Sequence, residues 1–200
     1  MLATAIVAAA LLAPSPAGAK GGGTFVEIDA QAGVSTPTFE RMGVAFSYGG
    51  MIGIGGRLRW MLPRFYLMAG AMHQGWSADG VRPETGEGFT ASQSLLDLSL
   101  GLRVVIPIWK GLRVHIDLMG LASRQEFEVR HDSKRASESW GPGGLVAFGI
   151  QYRWHRNAST GLRLEGTFYG PVDSAVMRSA GLDPKHQGKL LVALVQAWYF

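Results

Sequence analysis

The stretch Lys189-Leu-Leu-Val-Ala-Leu-Val-Gln-Ala-Trp-Tyr-Phe200 decides the fold. It holds no Pro or Gly, is rich in β-branched and aromatic residues, and ends on Phe200. Its length, about 12 residues, is what a tilted β-strand needs to cross the hydrocarbon layer of a bilayer. Leu190, Val192, Leu194, Trp198 and Phe200 share one face, interrupted by Gln196.

Upstream, the same period of two recurs with little sign of a helical stripe. The first strand sets Val26, Ile28, Ala30, Ala32 and Val34 against Glu27, Asp29 and Gln31. The second keeps one phase from Val44 to Trp60, with Arg57 and Arg59 on the less apolar face. Leu62-Pro-Arg64 is a turn. The third strand, about Phe65 to Trp76, has two apolar faces, so its phase is open. A polar connection is expected from Ser77 to Gln93. The fourth strand opposes Leu96, Leu98, Leu100, Leu102, Val104 and Ile106 to Asp97, Ser99, Gly101 and Arg103. After a turn at Trp109-Lys-Gly111, the fifth opposes Leu112, Val114, Ile116 and Leu118 to Arg113, His115 and Asp117. The charged segment Arg124 to Glu138 reads as a second long connection. The sixth strand opposes Val146, Phe148, Ile150, Tyr152 and Trp154 to Ala147, Gly149, Gln151 and Arg153. A short turn over Arg156 to Ser159 leads to the seventh, where Leu162, Leu164 and Phe168 oppose Arg163, Glu165 and Thr167. A last long connection, Pro171 to Gly188, reaches the closing strand. The count is eight.

Composition agrees with this reading. The chain is 47% hydrophobic and 17% charged, with 28 Gly, and its mean hydropathy is only +0.12. That is too polar for a helical membrane protein and low in charge for a soluble domain. A membrane barrel lies between them, because only every second strand residue meets lipid. The net charge is +4, but Lys and Arg are dispersed among apolar residues, so nucleic acid is not an expected partner. The absence of Cys excludes disulfides, thiolate metal sites, a Cys nucleophile and a Cys-linked lipid anchor. No metal-ligand spacing is visible, and no cofactor is expected. Gly49 to Gly56 is glycine-rich but lacks the GxxxxGK[ST] pattern and a following helix. Glycine in a small barrel's strand instead makes room for a large neighbour or bends the sheet.

Residues 1–19 read as a cleavable signal peptide. Met1 to Ala13 are mostly apolar, Pro14-Ser-Pro16 breaks a helix, and Ala17-Gly-Ala19 is a small-x-small cleavage pattern, although no Lys or Arg precedes the apolar run. Residues 20–23 form a flexible lead-in, and 24–200 form the barrel domain.

Short connections follow strands two, four and six, and longer ones alternate with them. This is the asymmetry of outer-membrane barrels, with short periplasmic turns, external loops and an even strand number. Trp60, Trp109, Trp154 and Trp198 fall near the periplasmic end and read as an aromatic girdle. Trp109 is out of phase with its strand. Phe46, Trp76, Trp140 and Phe168 are candidates for the outer girdle. Backbone in hydrocarbon must be fully hydrogen-bonded, which strands achieve only by closing. The expected fold is therefore all-β, an eight-stranded antiparallel up-and-down transmembrane barrel. A soluble lipocalin-type barrel, with the apolar rows inward, is the rival.

With its terminal Phe200 and Trp198, the closing strand resembles that of the small OmpA/OmpX-type outer-membrane β-barrel superfamily. That resemblance implies bacterial outer-membrane localisation, a monomer, contact with outer-membrane lipid and lipopolysaccharide, and recognition of Trp198 and Phe200 by the barrel-insertion machinery. If the apolar rows face lipid, the lumen receives Glu27, Asp29, Asp97, Asp117 and Glu165. With them come Arg57, Arg59, Arg103, Arg113, Arg153, Arg163 and His115. Eight strands leave an interior that side chains fill, and buried charges there must pair. The expected role is structural or surface-interacting, with a salt-bridge plug and no enzymatic site. A narrow pore for ions or small solutes is the first alternative, and a lipid A-modifying enzyme the second. The deacylases among such barrels use a His–Ser pair and an acid on the lipid face. Here His115 and Asp117 point inward without an evident Ser, and His131-Asp-Ser133 lies in a loop.

Overall fold

The computed structural model describes residues 25–36, 45–57, 64–81, 86, 88–130, 134–170 and 187–200. The expected signal peptide and lead-in, with Arg59 and Trp60, lie outside the described residues. Eight strands follow in order: β1 (Phe25–Thr36), β2 (Ala45–Arg57), β3 (Arg64–Val81), β4 (Gly88–Trp109), β5 (Leu112–Arg130), β6 (Lys134–His155), β7 (Ala158–Tyr169) and β8 (Gln187–Tyr199). Each pairs antiparallel with its neighbour, and β1 closes on β8. Reciprocal bonds between Val26 and Phe200 seal the seam, N to O at 3.0 Å and 2.9 Å.

The pairings also give the stagger. From Phe148, the partners run Leu164, Val192, Val34, Phe46, Gly75, Ser94 and Glu126, and return to β6 at Glu138. One circuit thus advances ten residues along β6. Ten residues of rise over eight inter-strand spacings tilt the strands by about 40°, within the range of closed barrels.

Orientation follows from burial. Leu98, Leu100, Ile116 and Phe148 do not meet in a central core; all four lie exposed on the outside. So do Ile52, Leu102, Leu118, Leu162, Val192 and Leu194. The rows between them carry the buried charges, Glu27, Asp29, Arg103, Asp117, Arg163 and Glu165 among them. An apolar band this continuous around a polar interior cannot face water at tolerable cost. It is the architecture of an outer-membrane-type transmembrane barrel.

Several expectations need correction. The phase of β3 resolves: Tyr66, Met68, Met72 and Gln74 are buried, while Leu67 faces out. The connection read from Ser77 to Gln93 is mostly strand, since β3 and β4 stay paired through Val81↔Gly88. The charged segment Arg124 to Glu138 is likewise a hairpin, with β5 and β6 paired out to Arg130↔Lys134. Both stretches project beyond the apolar band, where neither face needs to be greasy. Short turns stand at Lys110-Gly111 and Arg156-Asn157. Gly111 has φ +83°, which favours glycine there, and its carbonyl accepts the Arg153 N–H at 2.7 Å. A register shift between Pro107 and Trp109 explains the phase anomaly, because it turns the indole outward.

Trp154 also lies exposed on the outside near this end. Towards the other end, Phe46, Trp140 and Phe168 are exposed. Indole and phenyl rings prefer the two membrane–water boundaries, so these two levels bracket the hydrocarbon span. Pro142 occupies β6 just beyond the last β6–β7 pair, Gly143↔Tyr169, where a missing N–H costs little.

Candidate functional site

The interior is built by strand alternation: each inward position delivers one side chain to a shared axis, and glycines on neighbouring strands set how far it reaches. His115 lies over Gly149, its register partner, where an added Cβ would stand 2.1 Å from the ring. Met68 lies over Gly53 in the same way, its Sδ 2.0 Å from such a Cβ. Pairing large with small lets eight tilted strands close around a filled lumen.

The middle layer centres on Arg103. Its guanidinium donates to Glu27 at 2.6 Å, to Asp29 at 2.7 Å, and to both oxygens of Asp117 at 2.7 and 2.9 Å. Arg163 also donates to Asp117 and lies 3.2 Å from Glu165. Every one of these side chains is buried. Charges that deep cost several kcal/mol each unless paired; here each guanidinium binds two or more carboxylates.

A second layer sits toward the outer end. Lys189 donates to Asp97 Oδ2 at 2.9 Å, and Tyr169 Oη and Gln74 Nε2 donate to the same oxygen at 2.7 and 3.1 Å. Lys189 Nζ also stands 3.7 Å from Glu165, linking the layers. In the sequence, Lys189 marks only the start of the closing strand. Its parity with Leu191 and Val195, both inward, was the available signal. Between the layers is a small cavity, about 10 Å³ of room for a water's centre, lined by Gln31, Met51, Met72, Asp97, Leu145 and Glu165 among others. That is space for roughly one water, not for a hydrated ion in transit.

The third layer is at the end with the short turns. Tyr199 donates to Gln151 Oε1 at 2.9 Å and lies 2.9 Å from Ser159 Oγ. Arg113 and Arg153 stack on its ring, with Cζ 4.9 and 5.8 Å from the centroid. Arg153, expected in the lumen, is only half-buried at this mouth. Arg57 ends β2 opposite Arg64.

His115 and Asp117 both face inward, but the Asp117 oxygens are taken by Arg103 and Arg163. Among the described residues, His115 Nε2 is buried and makes no hydrogen bond. Among the described residues, no three His, Asp or Glu side chains gather as a metal site. His131-Asp-Ser133 lies outside the described residues.

Fold and interior together define a small transmembrane β-barrel with a charged, packed axis. No protein-family model matches the chain, and no curated protein matches it. Among solved structures, it is similar to Neisserial surface protein A, at 14% identity over 88% of this chain and 98% of that one, TM-score 0.46. It is also similar to the N-terminal β-barrel domain of Pseudomonas aeruginosa OprF, at 18% identity over 90% and 100%, TM-score 0.44. A third is Ail, the attachment invasion locus protein of Yersinia pestis, at 11% identity over 90% and 100%, TM-score 0.45. At such identities the similarity is one of outline, and no activity passes across it.

Proposed function

We propose that this chain is a bacterial outer-membrane barrel with a structural or surface-interaction role and a lumen closed by ion pairs. The observation that carries this reading is Arg103, fully buried and bonded to carboxylates from β1 and β5. A single guanidinium thereby ties opposite walls of the barrel across its axis. Breaking such a cluster leaves uncompensated buried charge, so the closed state is strongly favoured over a conducting one.

The outer contact surface is the projecting β3–β6 sheet. Arg124 bridges Glu126 and Glu138 at 2.6 and 2.7 Å on its exposed face, and Arg130 pairs with Glu128 beyond them. Mixed charge at this height suits the phosphate and sugar groups of lipopolysaccharide, in keeping with a monomer embedded in lipid.

The test is planar-bilayer recording of the purified barrel, alongside outer-membrane fractionation with heat-modifiable gel mobility. The expected result is a membrane-embedded, heat-modifiable protein without unitary current steps. Reproducible steps abolished by Arg103 substitution would favour a pore, and altered lipid A mass on overproduction would favour an enzyme. Recovery in the soluble periplasmic fraction would sink the architecture.

A further inference from the structure

The three layers of the lumen are not alike in charge. In the middle layer, Arg103 and Arg163 share four carboxylates, Glu27, Asp29, Asp117 and Glu165. Among the described residues, the short-turn mouth gathers arginines instead. Arg64 opens β3, Arg113 is the second residue of β5, and Arg153 is the third from the end of β6. Arg113 and Arg153 stack on one ring, that of Tyr199, and both Arg113 and Arg64 are near enough to Arg153 to oppose its charge. Arg113 and Arg64 also lie within electrostatic reach of the Tyr66 hydroxyl.

Glu27, within electrostatic reach of Tyr66 and Tyr199, gives its Oε1 to Arg103 at 2.6 Å, and its Oε2 makes no hydrogen bond within the protein. Arg113 is only 7% exposed, yet its Nη1 is buried and makes no hydrogen bond within the protein. Arg153 spends its Nε on the His155 carbonyl at 3.2 Å. A buried guanidinium nitrogen without an acceptor is costly, and like charges gathered on one ring add repulsion. Among the described residues, the middle layer answers its cations with acids, whereas Arg113 and Arg153 are met by the Tyr199 ring. The mouth offers donors and aromatic faces, the chemistry of an anion seat.

We propose that the periplasmic mouth of the barrel, at Arg113 and Arg153 beside Tyr199, binds a phosphate-type oxyanion. Calling this mouth periplasmic rests on the membrane reading above; the anion seat itself does not. The guanidinium N–H groups not already spent match the oxygens of a phosphate or phosphodiester, and the Tyr199 ring packs against both cations. Such a group can come from free phosphate or from a phospholipid headgroup in the adjoining leaflet.

The test is NMR of the folded barrel, following the side-chain Nε–H signals of Arg113 and Arg153. One arm titrates inorganic phosphate into the detergent-solubilised protein against chloride at equal ionic strength. The other compares nanodiscs of phosphatidylglycerol with nanodiscs of phosphatidylcholine. A saturable shift specific to phosphate, or one specific to the anionic lipid, is expected, and identifies the source. Arg113→Gln and Arg153→Gln each weaken it at least tenfold, whereas Lys110→Gln, in the exposed turn at the same end, leaves it unchanged. If Arg113→Gln does not fold, the half-exposed Arg153→Gln decides. No saturable shift in either arm, or wild-type binding in Arg153→Gln, overturns the proposal. A folded, heat-modifiable barrel without binding separates that failure from failure of the fold.

Discussion

Arg103 on β4 and Asp117 on β5 are register partners, and the guanidinium meets the carboxylate edge to edge, Nε to Oδ1 at 2.7 Å and Nη2 to Oδ2 at 2.9 Å. The fork leaves Nη1 free to reach across the axis to Glu27 and Asp29. Arg103 is therefore both a cross-strand pair and a transverse strut. Substitution Arg103→Met removes the cation, leaves the buried Glu27 and Asp29 without a cationic partner and leaves Asp117 with Arg163 alone, so the barrel should lose about 3–5 kcal/mol. Urea titration of the vesicle-folded protein measures this. Arg103→Lys keeps the charge but not the fork and should fall between wild type and Arg103→Met. A loss below about 1 kcal/mol for Arg103→Met, the ordinary scale of any point change, would mean that the strut does not hold the walls.

Gly149 tests the packing rule separately from the charges. A Cβ there would meet the His115 ring at 2.1 Å, and this ring is buried. Gly149→Ala should cost roughly 1–3 kcal/mol, as overpacking usually does. Combining it with His115→Ala should recover much of that loss, because the two residues compete for one space. Gel mobility before and after heating, across a urea series, reports all three variants. Strict additivity would show that the glycine is there for another reason.

What the sequence made legible was whatever the bilayer enforces. β4 and β8 alternate cleanly because one face must be greasy, so Leu98 and Leu194 could be placed outside and Asp97 inside from spacing alone. β3 was opaque for the same physical reason: Met68 and Tyr66 fill the lumen beside Gly53 and Gly55, and an apolar row inside looks like an apolar row outside. Beyond the hydrocarbon, the constraint vanishes. Arg124, Glu126 and Glu138 are paired strand with no greasy row to announce it, so polar strand there resembles a loop. Which carboxylate each arginine takes depends on reach across the axis, as with Arg103 to Glu27, and one-dimensional spacing carries no such information.

The Arg124–Glu138 contact gives a pH prediction. Glu138 stands beyond Trp140 on the projecting sheet, outside the hydrocarbon span, and its hydrogen bond from Arg124 holds its carboxyl below the ordinary 4.5. A carboxyl whose pKa is lowered on folding contributes stability above its unfolded value, and that contribution disappears as pH falls through the folded value. The carboxyl carbon shift of Glu138, followed by NMR, should therefore titrate below 4.5 in wild type and return to about 4.5 in Arg124→Gln. Equal midpoints in the two proteins would mean that the pair does not persist in solution. The pair stands in solvent, so the overall unfolding midpoint should scarcely move.

The outward rows carry the sharpest prediction. Leu100 on β4 is 61% exposed and lies near the middle of the apolar band, with Ala69 and Gly120 as its register partners. In lipid, Leu100→Arg should destabilise the barrel by about 2–4 kcal/mol, whereas a charge near the boundary costs about 0–1 kcal/mol. Phe46→Arg, near the outer end of β2, supplies that boundary comparison. A soluble barrel would treat both sites as surface and change by no more than about 0.5 kcal/mol at either. The depth gradient, not the size of one effect, is decisive, because no aqueous surface distinguishes the two positions. Equal and small losses at Leu100 and Phe46, measured in the same vesicles, would remove the bilayer from the account of this fold.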